Sequence, residues 1–221
     1  MALNLWIRPY LNEAGLGRIE AAVKGAEKRT RGEIVPVVAR QSAPHGHAAW
    51  LAAAMLLALG YASGLGLWRS QLPWGHWAWF PLDALSAMVA GWLLAKLPYV
   101  RRLLTPQRDL DHAVHLGAEA AFHRLGVHRT ADRSGILLYV SLTERRAVVL
   151  ADQGISSKVG AEEWRAVCKL LLDGASRHDL ATGFERAIDH SSSVLQKHFP
   201  LRKAKAAKRD QLPDRLRILG S

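Results

Sequence analysis

Apolar residues follow two different spacings along this chain, and the spacings predict its secondary structure. Where apolar residues recur every three or four positions we expect amphipathic helices, and where β-branched residues form short runs we expect strands. The predicted helices are Leu11–Arg29, Arg108–Leu125, Ala161–Leu172 and Leu180–Lys197. The predicted strands are Glu33–Ala39, Ile136–Val140 and Ala147–Leu150.

The three predicted strands have to share one sheet. The spacing of Ile136–Val140 and Ala147–Leu150 favours an antiparallel hairpin. Glu33–Ala39 contains Pro36, which lacks the N–H that a ladder needs, so an edge position or a bulge is expected. Because a lone strand cannot satisfy its backbone groups, the sequence predicts that Glu33–Ala39 joins the sheet formed by the two later strands.

Two long apolar segments separate the first strand from the others. Ala48–Trp68 contains no Asp, Glu, Lys or Arg, and Trp77–Tyr99 carries Asp83 and Lys96 near its ends. A helix needs roughly 20 apolar residues to cross the hydrocarbon of a bilayer, and tryptophan favours its interface. The segments and the tryptophans near their turn (Trp68, Trp74, Trp77 and Trp79) therefore predict a transmembrane helical hairpin, with a buried hairpin in a globular core as the alternative.

Basic residues flank this hairpin on both sides, whereas its turn holds only Arg69. The positive-inside rule then predicts a multi-pass protein of the cell inner membrane with both termini in the cytoplasm. The predicted organisation is a split domain, 11–40 and 106–200, around a hairpin at 48–99, followed by a basic C-terminal tail at 201–221.

The chain is strongly basic, with a formal net charge of +11 and a pI of about 10.3. Its aromatic residues are concentrated in the hairpin and are not interleaved with a basic patch, which argues against nucleic acid as a partner. Attraction of the basic tail to anionic lipid headgroups explains the charge, and a solvated terminus is the alternative. The single cysteine, Cys168, excludes an intrachain disulfide.

The order of these parts resembles the TPM domain family. The resemblance is most specific over Asp132–Ile155, DRSGILLYVSLTERRAVVLADQGI, and extends to Gly183–Ile188 and His198–Pro200. It implies an α/β fold, a small mixed sheet with helices packed on its faces, here interrupted by the transmembrane hairpin. It also implies phosphatase activity or divalent-metal binding, which are attributed to some members.

Oxygen ligands for a metal are few in this chain. Calcium usually takes six to eight oxygens, and Asp132 and Asp152, with loop carbonyls and water, could form a sparse site for such a divalent cation. The alternative for Asp132 is a turn or cap residue. Asp111 and His115, four residues apart on a predicted helix, could ligate a transition metal or simply form a solvated face.

Two functions fit this pattern. The first is a binding or accessory module, held in the lipid bilayer, that acts on other membrane proteins. The second is a metal-dependent phosphatase at the membrane face. Because the chain is poor in clustered carboxylates, the sequence favours the accessory module.

Overall fold

The computed structural model describes residues 3–42, 47–64, 75–130, 133–200 and 212–220. The helices are α1 (Glu13–Glu27), α2 (His47–Ala62), α3 (Gly75–Leu94), α4 (Pro98–Leu104), α5 (Gln107–Arg124), α6 (Gln153–Ser156), α7 (Ala161–Ser176) and α8 (Leu180–His198), with a short 3₁₀ turn at Val127–Arg129. The strands are β1 (Glu33–Ala39), β2 (Gly135–Ser141), β3 (Arg146–Ala151) and β4 (Arg217–Leu219).

The four strands form one mixed sheet in the order β3-β2-β1-β4. β1 runs parallel to β2, with Glu33 opposite Gly135, and also parallel to β4, whereas β2 and β3 form the expected antiparallel pair. The chain before and after the apolar segments therefore meets in one sheet. This arrangement confirms the predicted α/β class with a small mixed sheet and helices on its faces.

Alternate residues of the strands bury opposite faces of the sheet, as the period of two requires. One face packs against α1, α7 and α8, and the other packs against α5. The strand residues on the first face are Ile34, Val38, Ile136, Leu138 and Val140. Those on the second face are Val35, Val37, Ala39, Leu137 and Tyr139.

The sheet differs from the expectation at Pro36. β1 is an internal strand, with β2 on one side and β4 on the other. β4 pairs only with Val37–Ala39, so at Pro36 β1 has a single neighbour. The missing N–H is therefore tolerated because the second ladder begins one residue later.

Helices α7 and α8 approach each other closely through two glycines. A Cβ built on Gly174 of α7 would lie 2.5 Å from the Cα of Gly183 on α8 and 2.8 Å from the carbonyl oxygen of Asp179. Both obstructing atoms belong to the backbone, so a side chain at residue 174 cannot be accommodated by a rotamer change. The two glycines set the separation of these helices.

The described residues fall into two compact units, one from Met1–Ala43 and Asp111–Ser221 and the other from Pro44–Leu110. Inside the second unit α2 and α3 pack together, and a Cβ on Gly91 would meet the backbone nitrogen of Ala53 at 2.6 Å. The Tyr61 hydroxyl donates to the buried carboxylate of Asp83 at 3.3 Å.

The predicted membrane spans are not supported. α2 has 16 residues, about 24 Å at 1.5 Å per residue, which is shorter than the roughly 30 Å of bilayer hydrocarbon. α3 has 20 residues but includes Pro81 and the buried Asp83. Across the described residues, no helix combines the length and the apolarity that a membrane crossing demands. This finding overturns the transmembrane hairpin, the membrane class and the inner-membrane placement with cytoplasmic termini.

Parts of the predicted hairpin and tail lie outside the described residues, including Trp68, Trp74 and 201–211. The end of the tail is described, and it contributes β4 to the sheet. Arg215, which the sequence assigned to a lipid-binding tail, lies 3.5 Å from Glu20 of α1. The basic tail is thus partly a structural element of the larger unit.

Candidate functional site

Asp152, one of the two predicted metal ligands, lies immediately after β3. Its backbone N–H donates to the carbonyl of Gly135 at 2.9 Å, which continues the β2–β3 ladder by one residue. It is also the N-cap of α6, where its Oδ1 accepts from the Gln153 N–H at 2.7 Å. One oxygen of the carboxylate therefore has a structural role.

The loop that precedes β2 lies against this turn. The Gly154 N–H donates to the Arg133 carbonyl at 3.2 Å, and the Arg133 guanidinium donates to Oε1 of Gln153 at 2.9 Å. The sequence prediction placed Asp132 and Asp152 together, and the structure brings Asp152 to the residues that follow Asp132. Asp132 itself lies outside the described residues.

The second carboxylate oxygen of Asp152 is the chemically informative atom of this site. The residue is 8% exposed, and its Oδ2 is buried and accepts no hydrogen bond from any residue that the structure describes. Burying a carboxylate oxygen without a donor is costly, and a bound cation is one way to offset that cost. Within the described ranges, however, no three His, Cys, Asp or Glu side chains converge, so the site has few protein ligands there.

The second metal candidate, Asp111 with His115, is occupied by other partners. The Arg146 Nε lies 2.7 Å from Oδ1 of Asp111, which makes an ion pair, and the His115 Nε2 lies 3.4 Å from Oε1 of Glu119 one turn along α5. Asp111 is thus paired with an arginine, and a glutamate lies beside His115 on the exposed side of α5. The structure therefore favours the solvated polar face over a transition-metal site.

The structure places a buried carboxylate beside a serine hydroxyl, at Ser141 and Glu144. The Ser141 hydroxyl donates to Glu144, and the Ser42 N–H lies 3.3 and 3.4 Å from the two oxygens of the same carboxylate, to which it donates. Ser141 is fully buried and Glu144 is 1% exposed. The pair holds the β2–β3 turn against the end of β1.

At Cys168, burial raises the pKa of the thiol, which disfavours the nucleophilic thiolate.

A second candidate surface lies on α2 and α3, and we call it the apolar hairpin surface. It comprises the large apolar side chains of these helices that are at least 42% exposed. They are Trp50, Leu51, Met55, Leu59, Phe80, Leu82, Leu85, Met88, Val89, Trp92 and Leu93. With each side chain roughly half exposed, they present on the order of 1,000 Å² of apolar area. A monomer seldom exposes more than a few hundred Å² in one patch.

The fold defines the chain as an α/β protein with a four-stranded mixed sheet. No family profile matches the sequence, and no curated protein matches it either. A similar solved structure is the NMR structure of the BA42 protein from the psychrophilic bacterium Bizionia argentinensis. The two share 18% identity over 95% of each chain with a TM-score of 0.56, a likeness that shows the fold alone.

Proposed function

We propose that this chain is a TPM-like binding and accessory module whose apolar hairpin surface holds apolar helices of partner proteins, membrane proteins among them. The observation that carries the proposal is the exposure of so many large side chains on α2 and α3. Trp50 is 67% exposed, Leu59 is 68% exposed and Trp92 is 55% exposed. Such surfaces mark sites of interaction.

The size and chemistry of the surface suit a protein partner. A standard protein interface covers about 800 Å² on each side, and the apolar area that the side chains of α2 and α3 expose in total is of that order. Aromatic and methionine side chains are enriched in interface cores, and Trp50, Met55, Met88 and Trp92 supply both types. Helix α2 carries no charged Asp, Glu, Lys or Arg side chain, so its preferred partner is apolar.

Photo-crosslinking in cells tests this proposal. Benzoylphenylalanine is placed at Leu59 or Leu85 on the apolar hairpin surface, and at the exposed Arg165 of α7 as a matched control. We expect a discrete protein adduct from the first two positions and none from the third. The purified partner should then bind the wild type and lose at least about tenfold in affinity with Leu59→Glu, because burying a leucine contributes about 1.5–3 kcal/mol.

Three results would contradict the proposal. Adducts with lipid alone would show that a lipid surface covers α2 and α3, and adducts with a second copy alone would show a homo-oligomer. Equal labelling from Arg165 would indicate nonspecific association of an apolar protein.

The buried Oδ2 of Asp152 favours a second candidate, a divalent-cation site such as a metal-dependent phosphatase requires. In this alternative the Asp152 turn, together with Asp132, provides the oxygen ligands. A cation there would neutralise the buried carboxylate, and as a Lewis acid it would polarise a phosphoryl oxygen.

Calorimetric titration with calcium, magnesium and manganese tests the cation site. Asp152→Asn is the informative variant because asparagine caps helices about as well as aspartate but carries no charge. We expect the heat of binding, and any metal-dependent hydrolysis of 4-nitrophenyl phosphate, to disappear while stability stays within about 0.5 kcal/mol of the wild type. No heat from the wild type at millimolar metal would rule out the site.

A further inference from the structure

The larger unit contains a cavity of about 260 Å³ that neither proposed function uses. It lies between the N-terminal segment, the β2–β3 turn and the end of α7. Leu142, Leu172 and Ala175 give it apolar walls, and Tyr10, Arg145 and His178 lie around it. The Tyr10 and His178 rings are stacked, with centroids 4.6 Å apart and planes inclined by 19°.

Arg145 and His178 occupy unusual backbone positions at this cavity. Arg145 has φ of 51° and His178 has φ of 58°, the left-handed region where glycine is the usual residue. A side chain there costs free energy relative to glycine, and such costs concentrate at functional sites. The described residues include three non-glycine positions with positive φ, and two of them line this one cavity.

The positive charge of Arg145 is not paired with an acidic side chain among the residues that the structure describes. The adjacent Glu144 carboxylate accepts hydrogen bonds from the Ser141 hydroxyl and from the Ser42 N–H. On α7, Asp173 pairs with Arg177 at 3.0 Å.

The end of α7 does not explain the presence of Arg145 and His178 either. Its last carbonyls already accept hydrogen bonds, from His178 N–H to Ala175 at 3.3 Å and from Asp179 N–H to Gly174 at 2.9 Å. The Asp179 carboxylate in turn caps α8 by accepting from the Thr182 N–H. The Arg145 guanidinium therefore remains available to a ligand.

We infer that this cavity binds a small organic anion, a carboxylate or phosphate group carried on a flat apolar body. The Arg145 guanidinium binds the anionic group, for which its planar donor array is suited. The apolar body lies against Leu142, Leu172 and Ala175, next to the stacked rings of Tyr10 and His178. The volume is slightly below the usual range of small-molecule pockets, which limits the ligand to about the size of a substituted benzene ring.

NMR titration of the full-length, isotope-labelled protein tests the inference. The probes are phenyl phosphate and benzoate, with benzyl alcohol as the neutral analogue and inorganic phosphate as the anion without a body. We expect both aromatic anions to shift the backbone amides of Leu142, Arg145 and Ala175. Neither comparison compound should bind as tightly.

Two variants separate binding from a structural role. Arg145→Gly removes the guanidinium and suits the left-handed backbone, so it should weaken binding of phenyl phosphate by about tenfold or more and leave the melting temperature unchanged or raised. Arg177→Gln removes a neighbouring charge that is already paired, and it should leave binding unchanged.

Three results would overturn the inference. The first is the absence of shifts at the cavity amides with either aromatic anion. The second is an equal loss of binding in Arg145→Gly and Arg177→Gln, which would reflect the net charge of +11 alone. The third is benzyl alcohol or inorganic phosphate binding as tightly as the aromatic anions, which would show that the cavity does not recognise both parts of the ligand.

Discussion

Replacing Gly174 by alanine should destabilise the larger unit, against the general preference of helices for alanine. The added Cβ would lie 2.5 Å from the Cα and 2.9 Å from the nitrogen of Gly183, and 2.8 Å from the carbonyl oxygen of Asp179. Carbon atoms pack best at about 3.5–4.0 Å, so α7 and α8 would have to separate by about 1 Å.

The magnitude follows from two opposing effects. Alanine in place of glycine favours a helix by about 1 kcal/mol. Overpacking costs about 1–3 kcal/mol, and Gly174 belongs near the upper end because the atoms in its way are backbone atoms that no rotamer change can move. We therefore expect a net loss of about 1–2 kcal/mol in the free energy of unfolding.

Native-state hydrogen exchange of the slowest amides in β1 and β2 measures this change for the larger unit by itself. Exchange should accelerate about five- to thirtyfold. Gly17→Ala is the matched control: Gly17 is an exposed residue inside α1, and a Cβ there meets no atom within 4 Å. It should slow exchange, so the two glycine-to-alanine changes have opposite signs. A Gly174→Ala protein as stable as the wild type would refute the backbone contact between α7 and α8.

Two further predictions concern single carboxylates. Asp179→Ala should cost about 1 kcal/mol, because it removes the cap that accepts from Thr182. The Thr182 hydrogen bonds lower the pKa of the Asp179 carboxyl, so its contribution is present above the unfolded pKa, near 4, and is lost as pH falls through the folded value. The stability difference between wild type and variant, measured by urea unfolding, should therefore shrink below about pH 4. Glu144→Ala should lower the free energy of unfolding, measured by hydrogen exchange, by about 1–3 kcal/mol, because Ser141 and Ser42 lose their buried acceptor. Glu144→Gln should lower it less, and an equal loss in both variants would contradict this assignment.

The sequence predicts the sheet well where its signals are local. Glu33–Ala39 has the same bounds as β1, and β2 and β3 each extend the predicted run by one residue at each end. These strands carry dense apolar or β-branched runs bounded by turn residues. β4 has three residues within a basic segment, and its pairing with β1 depends on contacts about 180 residues away in the chain. No local pattern could have indicated it.

For the apolar segments, the sequence predicted membrane-spanning helices that the structure does not support. Counting apolar residues over Ala48–Trp68 registers composition, but it does not show where a helix stops. α2 ends at Ala62, and Ser63 and Gly64 follow, with Gly64 in the left-handed region at φ of 92°. In α3, the backbone tolerates Pro81 near the start, and Asp83 is buried against Tyr61. The length that the prediction required is absent in the described residues.

The candidate sites also differ in whether the local sequence could indicate them. The sequence could indicate Asp152 as a candidate ligand because this residue directly follows a predicted strand. Only the structure shows that its carboxylate is buried. The anion cavity could not be selected, since Tyr10, Arg145 and His178 come from three distant segments. Its local signal is an arginine at a turn and a histidine at a helix end, positions where glycine is common. That signal becomes visible once φ is known.

The turn that presents Arg145 is fixed by the residue before it. The Glu144 carboxylate accepts from Ser141 of β2 and from the Ser42 N–H beyond β1, and the Thr143 N–H donates to the Arg40 carbonyl at 3.0 Å. These bonds join the β2–β3 turn to the end of β1, so the backbone at residue 145 cannot relax toward a less strained φ without breaking them. A buried carboxylate thus explains how an arginine is held in a left-handed conformation. It also implies that Glu144→Ala should weaken anion binding although Glu144 need not touch the ligand.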